Sequence, residues 1–204
     1  MKLSLLKIAV CTAVISLGSL LPAAECDKDG KAMIEGAVNE VLAIAYNGAG
    51  ANSPLSQRLR PVLEQYFNFE TITRKAIGPG WQQFTAEQQT SAVTLFTEVV
   101  IRNYADRFEA GERPTITYLA QVLLDPKRPN VCDLPTSIDY AGKKYTVVYR
   151  LEKTGECWRI VDVKIEGVSM IANWRAQLNP LFQHGGAPEV LASLKQNLAR
   201  SASE

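Results

Sequence analysis

Histidine is almost absent from this 204-residue chain, with His184 the single example. That excludes every motif that needs two histidines, HExxH among them. The four cysteines, Cys11, Cys26, Cys132 and Cys157, show no zinc-site spacing, and there is no glycine-rich phosphate loop and no GxSxG turn. An excess of charge is missing as well. Of 22 Lys and Arg, Lys2 and Lys7 fall in the first 24 residues, which leaves 20 against 21 acids, a formal charge of −1. Such a chain has no basic field to attract nucleic acid or an anionic bilayer surface.

What the N-terminus does have is the layout of a secretory signal. Met1 to Lys7 carries two lysines and no acid, Ile8 to Leu21 is apolar, and Pro22-Ala23-Ala24 supplies small residues for cleavage. A retained anchor is the poorer reading, because the apolar stretch is short, is interrupted by Thr12, Ser16, Gly18 and Ser19, and ends at a proline. Residues 1–24 are therefore expected to be a cleaved signal peptide and residues 25–204 one domain, large enough for a sizeable core. Acylation of Cys26 would tether the product to a membrane. Glu25 stands where that processing wants a small residue, so a soluble periplasmic product is expected. In that oxidising compartment Cys26, Cys132 and Cys157 allow at most one disulfide.

Apolar residues at Met33, Ile34, Ala37, Val38, Val41 and Leu42 give Lys28 to Tyr46 a helical period, with Asp27 or Asp29 as cap. A second helix is expected over about Leu55 to Tyr66, broken or restarted at Pro61, and a third behind the cap Asn68, ended by Gly78-Pro79-Gly80. Thr85 and Gln88 form a capping box for the longest helix, whose stripe is Val93, Phe96, Val99, Val100, Tyr104 and Phe108, with Gly111 as its stop. From Pro114 the period becomes two. Ile116, Tyr118 and Val122, then Ile138 and Tyr140, then Tyr145, Val147, Tyr149 and Leu151, then Val161, Val163 and Ile165 predict a four-stranded antiparallel meander. Pro135 argues for a bulge or an edge in the second strand. Helical spacing returns at Val168, Ile171, Trp174 and Leu178; Pro180 kinks or restarts that helix, Gly185-Gly186 ends it, and Pro188 opens a last one. The fold class is α+β: a twisted meander covered on one face by amphipathic helices, NTF2-like in general shape.

Catalytic readings are poor. His184 lies between a helix end and a glycine pair, a surface position, and Asp162 and Glu166 read as solvated charges. Trp81 and Trp174 read as packing, and Trp158 as an outer-face residue of the fourth strand. A sheet with an aromatic inner face encloses either a solid core or a pocket, and periodicity does not distinguish them. In the meander, Cys132 and Cys157 open strands two apart, a separation of about 9.6 Å that no disulfide spans. Cys26 joined to one of them is the expected bridge.

Two stretches resemble the MlaC or toluene-tolerance family of periplasmic phospholipid-binding proteins, which includes a hopanoid-associated branch. Tyr66 to Phe108 carries F-[DN]-F, G-x-x-W and T-x-x-Q before a helix ending in Tyr104. Val147 to Gly186 carries W-[RK]-[IV]-x-D-[VI], E-G-V-S and N-[YW]-R-x-Q. The likeness covers roughly Pro61 to Asn197. It departs from the family pattern at Asn68, Trp174, Pro180 and the pair Cys132 and Cys157.

The resemblance implies a monomeric carrier with no enzymatic step, no metal and no cofactor, whose ligand is a phospholipid or related lipid. Acyl tails would lie between sheet and helices with the headgroup at the opening. Its implied partners are an inner-membrane complex of an ABC transporter with an MCE-domain protein and an outer-membrane lipoprotein complex, with a role in outer-membrane lipid asymmetry. Inward faces nominate Val99, Tyr104, Phe108, Val147, Tyr149, Val163, Ile171, Trp174 and Leu178 as cavity wall, and the family's helix motif nominates Asn173 and Arg175 for the headgroup or mouth. The competing reading is an enzyme or small-molecule binder on a cone-shaped α+β fold, which would need an acid and a base among inward strand positions that are nearly all apolar.

Overall fold

The computed structural model describes residues 29–47, 53–105, 113–123 and 127–200. The signal segment, Cys26, Asp27, Phe108 and Gly111 lie outside them. In chain order the elements are α1 (Gly30–Asn47), α2 (Leu55–Tyr66), α3 (Phe69–Ile77), a 3-10 turn (Gly78–Gln83), α4 (Ala86–Ala105), β1 (Thr115–Tyr118), β2 (Val122–Leu123), β3 (Val131–Tyr140), β4 (Lys143–Thr154), β5 (Cys157–Ile165), β6 (Val168–Ser169) and α5 (Met170–Arg200).

The helix starts follow their capping chemistry. Asp29 Oδ1 accepts the Lys31 N–H at 3.0 Å, and Asn68 Oδ1 accepts the Thr71 N–H at 2.9 Å. The Thr85 and Gln88 box closes in both directions, at 2.9 and 3.2 Å. Pro61 does not break α2, which runs through it with Leu59 and Val62 buried on either side; packing holds the turn that lacks the proline N–H. Pro180 likewise lies inside α5. The break comes at Gly186, whose φ of 65° a side chain would strain, and Pro188 follows in the next turn.

The sheet runs β1-β3-β4-β5-β6 with every pairing antiparallel, and β2 sits beside β3 next to β1. Its body is the four-stranded meander, to which β2 and β6 add two residues each. Pro135 falls where one neighbour gives way to the other: Tyr118 pairs with Thr136, Val122 pairs with Asp133, and between them the Pro135 carbonyl accepts the Leu119 N–H at 3.0 Å. The missing proline N–H coincides with the gap in that edge. The bulge lies elsewhere, between β4 and β5 at Arg150/Leu151. Its extra residue, Val161, reverses the faces of everything before it, which turns Trp158 inward to 7% exposure. The outer-face position expected for Trp158 is thereby corrected.

Helices cover one face only; Lys144 and Thr146 on the other are exposed. Two apolar clusters result. One joins α3, α4 and α5, with Phe96 edge-on to Trp174 at 5.2 Å; the other joins α1, α2 and the sheet. Phe67 packs against both. Cys132 is buried and free, while Cys157 is disulfide-bonded to a partner outside the described residues. The two are not joined to each other, as their places two strands apart require.

Candidate functional site

Between α1, α2, α4 and the inner face of the sheet the packing leaves a cavity of about 530 Å³. The pleat sets its floor. Ile138 and Tyr140 of β3, Tyr145, Val147 and Tyr149 of β4, and Val163 and Ile165 of β5 all point to one side, as their period of two requires. The roof is the apolar stripe of α1, including Ile34, Val38 and Leu42, with Val62 and Tyr66 of α2 and Val100, Ile101 and Tyr104 of α4.

The cavity is graded from end to end. Ile34, Leu59, Ile101 and Ile160 are at most 1% exposed, whereas Ile165 at the far end of β5 is 38% exposed and its β6 partner Val168 is 64% exposed. At that accessible end the β3–β4 hairpin meets the last turns of α1 and α4. It brings Tyr140 and Tyr145 together with Tyr46 and Tyr104. An aliphatic depth and a phenolic opening suit an amphiphile entering tail first.

Among the described residues every lining side chain is aliphatic or aromatic apart from the Met170 thioether, and the only side-chain oxygens or nitrogens are tyrosine hydroxyls. Burial pushes the Tyr149 hydroxyl well above its ordinary value, with Tyr118 nearby adding to the shift. Burial and the neighbouring Tyr140 raise Tyr46, and burial and Glu35 raise Tyr118 beside the cavity. Tyr66 donates to Glu40 Oε1 at 2.6 Å. Among the described residues the lining holds no Asp, Glu, Lys, Arg or His.

Of the expected wall residues, Tyr104, Val147, Tyr149 and Val163 line this cavity. Val99, Ile171, Trp174 and Leu178 do not: they pack in the α3–α4–α5 cluster. Helix α4 is apolar over a broad arc, and its Val99 side meets α5 while Val100, Ile101 and Tyr104 face the cavity. Phe108 lies outside the described residues. Arg175 and Asn173 are exposed on α5; the Arg175 guanidinium donates through Nε to the Lys75 carbonyl at 2.9 Å and through Nη2 to the same oxygen, closing the last turn of α3. Neither residue is among those that line the cavity. The α1 and α2 wall was foreshadowed by the stripe from Met33 to Leu42 but not nominated.

Asp162 also departs from expectation. It is 5% exposed and accepts the N–H groups of Val163 and Ile171, at 2.9 and 3.1 Å, and the Ser169 hydroxyl at 2.6 Å. It faces away from the cavity and serves as a structural carboxylate. His184 is exposed. Among the described residues no cluster of His, Cys, Asp or Glu could hold a metal ion, and no helix is long and apolar enough to cross a membrane.

The family model described as MlaC protein matches residues 35–196. Among solved structures, a phospholipid-binding protein from Ralstonia solanacearum, in complex with a phospholipid, superposes with a TM-score of 0.76 at 23% identity, over 85% of this chain and 99% of that one. At that identity the likeness establishes the α+β fold. No curated protein matches the chain.

Proposed function

The chain belongs to the MlaC family, and on that premise we propose that it is a periplasmic lipid carrier that holds phospholipid acyl chains in the cavity between sheet and helices and shuttles them between the two membranes of the envelope. The observation that carries this reading is the lining itself: an apolar space, open at one end, whose described lining residues include no titratable side chain but tyrosine. A cone-shaped enzyme would need an acid and a base in that space, and the described lining supplies neither. The phospholipid held by the Ralstonia protein on the same fold supports the choice of ligand.

Each methylene taken from water into such a cavity gains about 0.8 kcal/mol, so a lipid with about thirty of them is held by about 25 kcal/mol gross. Binding of that size replaces the bilayer for the lipid in transit. Neither membrane releases the lipid unaided, so loading and unloading are coupled to docking on the inner-membrane ABC transporter and MCE-protein complex and on the outer-membrane lipoprotein complex. Residues 1–24 direct export and 25–204 form the carrier, a monomer without catalytic residues. Tyr104, Val147, Tyr149 and Val163 form part of its lipid-binding wall.

Extraction and mass spectrometry of protein purified from the periplasm test the proposal. Phospholipid or a related acyl lipid at about one per chain is the expected result. Recovery of a small polar metabolite with no lipid would favour the enzyme reading.

A further inference from the structure

At its open end the cavity meets a lysine. The β3–β4 hairpin turns tightly there through Ala141 and Gly142, at φ of 49° and 73°, so that Tyr140 and Lys143 are its last cross-strand pair. Residues directly opposite each other project from the same face of a sheet. Tyr140 lines the cavity, so the register puts Lys143 on the cavity side, at the rim. The next residue, Lys144, pairs with Asp139 on the other face, where the two side chains meet at 3.6 Å. Lys143 is exposed and has no ion pair or hydrogen bond among the described residues.

The groups around Lys143 suit an anion. Tyr46 and Tyr140 are neighbours at the mouth, and with Tyr145 they present phenol hydroxyls, each able to donate, that have no hydrogen-bond partner among the described residues. Arg113, just before Pro114 of the lining, adds a second cation at that end of the sheet. Two acids nearby are already engaged: Asp139 by Lys144, and Glu166 by the Thr146 N–H.

We infer that Lys143, with the hydroxyls of Tyr46, Tyr140 and Tyr145, binds the phosphate of the carried lipid, and that Lys143 makes the carrier select a phosphorylated lipid over an uncharged lipid with the same tails. The inference rests on the lipid-carrier reading. An exposed ammonium holds a free anion poorly, because water screens the pair. A lipid whose tails are already seated keeps its phosphate at the rim at high effective concentration, and a contact too weak for free phosphate then discriminates between headgroups.

Loading of the full-length mature protein from vesicles that hold phosphatidylglycerol and diacylglycerol in equal amounts, with the same acyl chains, tests it; mass spectrometry reads the ratio of the two bound lipids. Wild type is expected to load mainly phosphatidylglycerol. Lys143→Gln is expected to lower its ratio to diacylglycerol about threefold, the effect of losing one exposed ion pair, and Lys143→Arg to preserve it. Lys144→Gln removes the same charge from the opposite face and is expected to leave the ratio unchanged. Circular dichroism confirms that these exposed substitutions leave the domain folded. An unchanged ratio in Lys143→Gln would overturn the inference, as would an equal fall in Lys144→Gln, which would assign the effect to net charge alone. Loading in excess inorganic phosphate separates the two sources of the anion. The wild-type ratio is expected to match that in chloride of equal ionic strength; a fall to the Lys143→Gln value in phosphate alone would make free phosphate the ligand and overturn the inference. Wild type that loads neither lipid would overturn the carrier reading instead.

Discussion

Asp162 and Ile171 are joined by a 3.1 Å hydrogen bond from the Ile171 N–H to the Asp162 carboxylate, which ties the first turn of α5 to β5. The same carboxylate accepts the Ser169 hydroxyl and the Val163 N–H, so one buried side chain organises the turn between sheet and helix. Asp162→Ala leaves these donors without their acceptor and is expected to cost about 3 kcal/mol. Thermal denaturation measures it; a loss below about 1 kcal/mol would mean that the donors find other partners.

On the face of the sheet away from the cavity, Asp133 accepts two hydrogen bonds from Arg150, at 2.8 and 3.1 Å, and one from Lys164 at 3.1 Å. Burial alone would raise this carboxyl, but the bonds and charges of Arg150 and Lys164 outweigh it and hold it below the ordinary 3.8. A depressed folded-state value means stability that is complete above the unfolded value and is lost as pH falls through the folded one, below about pH 4. Asp133→Asn is expected to melt lower than wild type at pH 7 and to show a shallower decline between pH 5 and pH 2. Parallel declines in the two proteins would show that Asp133 does not contribute to acid sensitivity.

Cys132 and Cys157 should behave as different species. Burial, with Asp133 beside it, pushes the Cys132 thiol up to about 11, so it is expected to resist iodoacetamide at pH 8 until the protein is denatured. Cys157 should label only after reduction. Peptide mapping under non-reducing conditions reads both, and a Cys132–Cys157 peptide would contradict the strand order.

The strands were legible because a half-buried sheet writes itself in alternation, and Tyr145, Val147, Tyr149 and Leu151 keep one face with only Val148 apolar on the other. Trp158 was misplaced because a bulge adds one residue without any residue type that announces it, and period-two counting back from Val163 then lands on the wrong face. Ile171, Trp174 and Leu178 were rightly placed on a buried face, but periodicity records that a face is covered and not what covers it; here α3 and α4 do. Arg175 was drawn to the mouth by its place in a family motif, whereas its carbonyl partner, Lys75, lies 100 residues away in the chain. Phe67 stood inside a recognised motif, yet its position between the two apolar clusters depends on a bridge to Ile160 that no local pattern encodes.

That difference in surroundings separates two substitutions that look alike in sequence. Ile171→Asp puts an unpaired charge into the packed α3–α4–α5 cluster, at a cost of several kcal/mol, and is expected to unfold the domain. Val163→Asp puts its charge into the cavity, where water can enter once lipid is gone, and is expected to fold. Circular dichroism of the two proteins checks the contrast, and a folded Ile171→Asp would show that α5 is less tightly packed than described.

Transfer of phospholipid from liposomes to the purified mature protein, compared between wild type, Val163→Asp and His184→Ala, tests the carrier reading most directly. Wild type and His184→Ala are expected to load equally, because no acid–base step is involved, while folded Val163→Asp is expected to remain empty. Loading by folded Val163→Asp together with loss in His184→Ala would contradict the account.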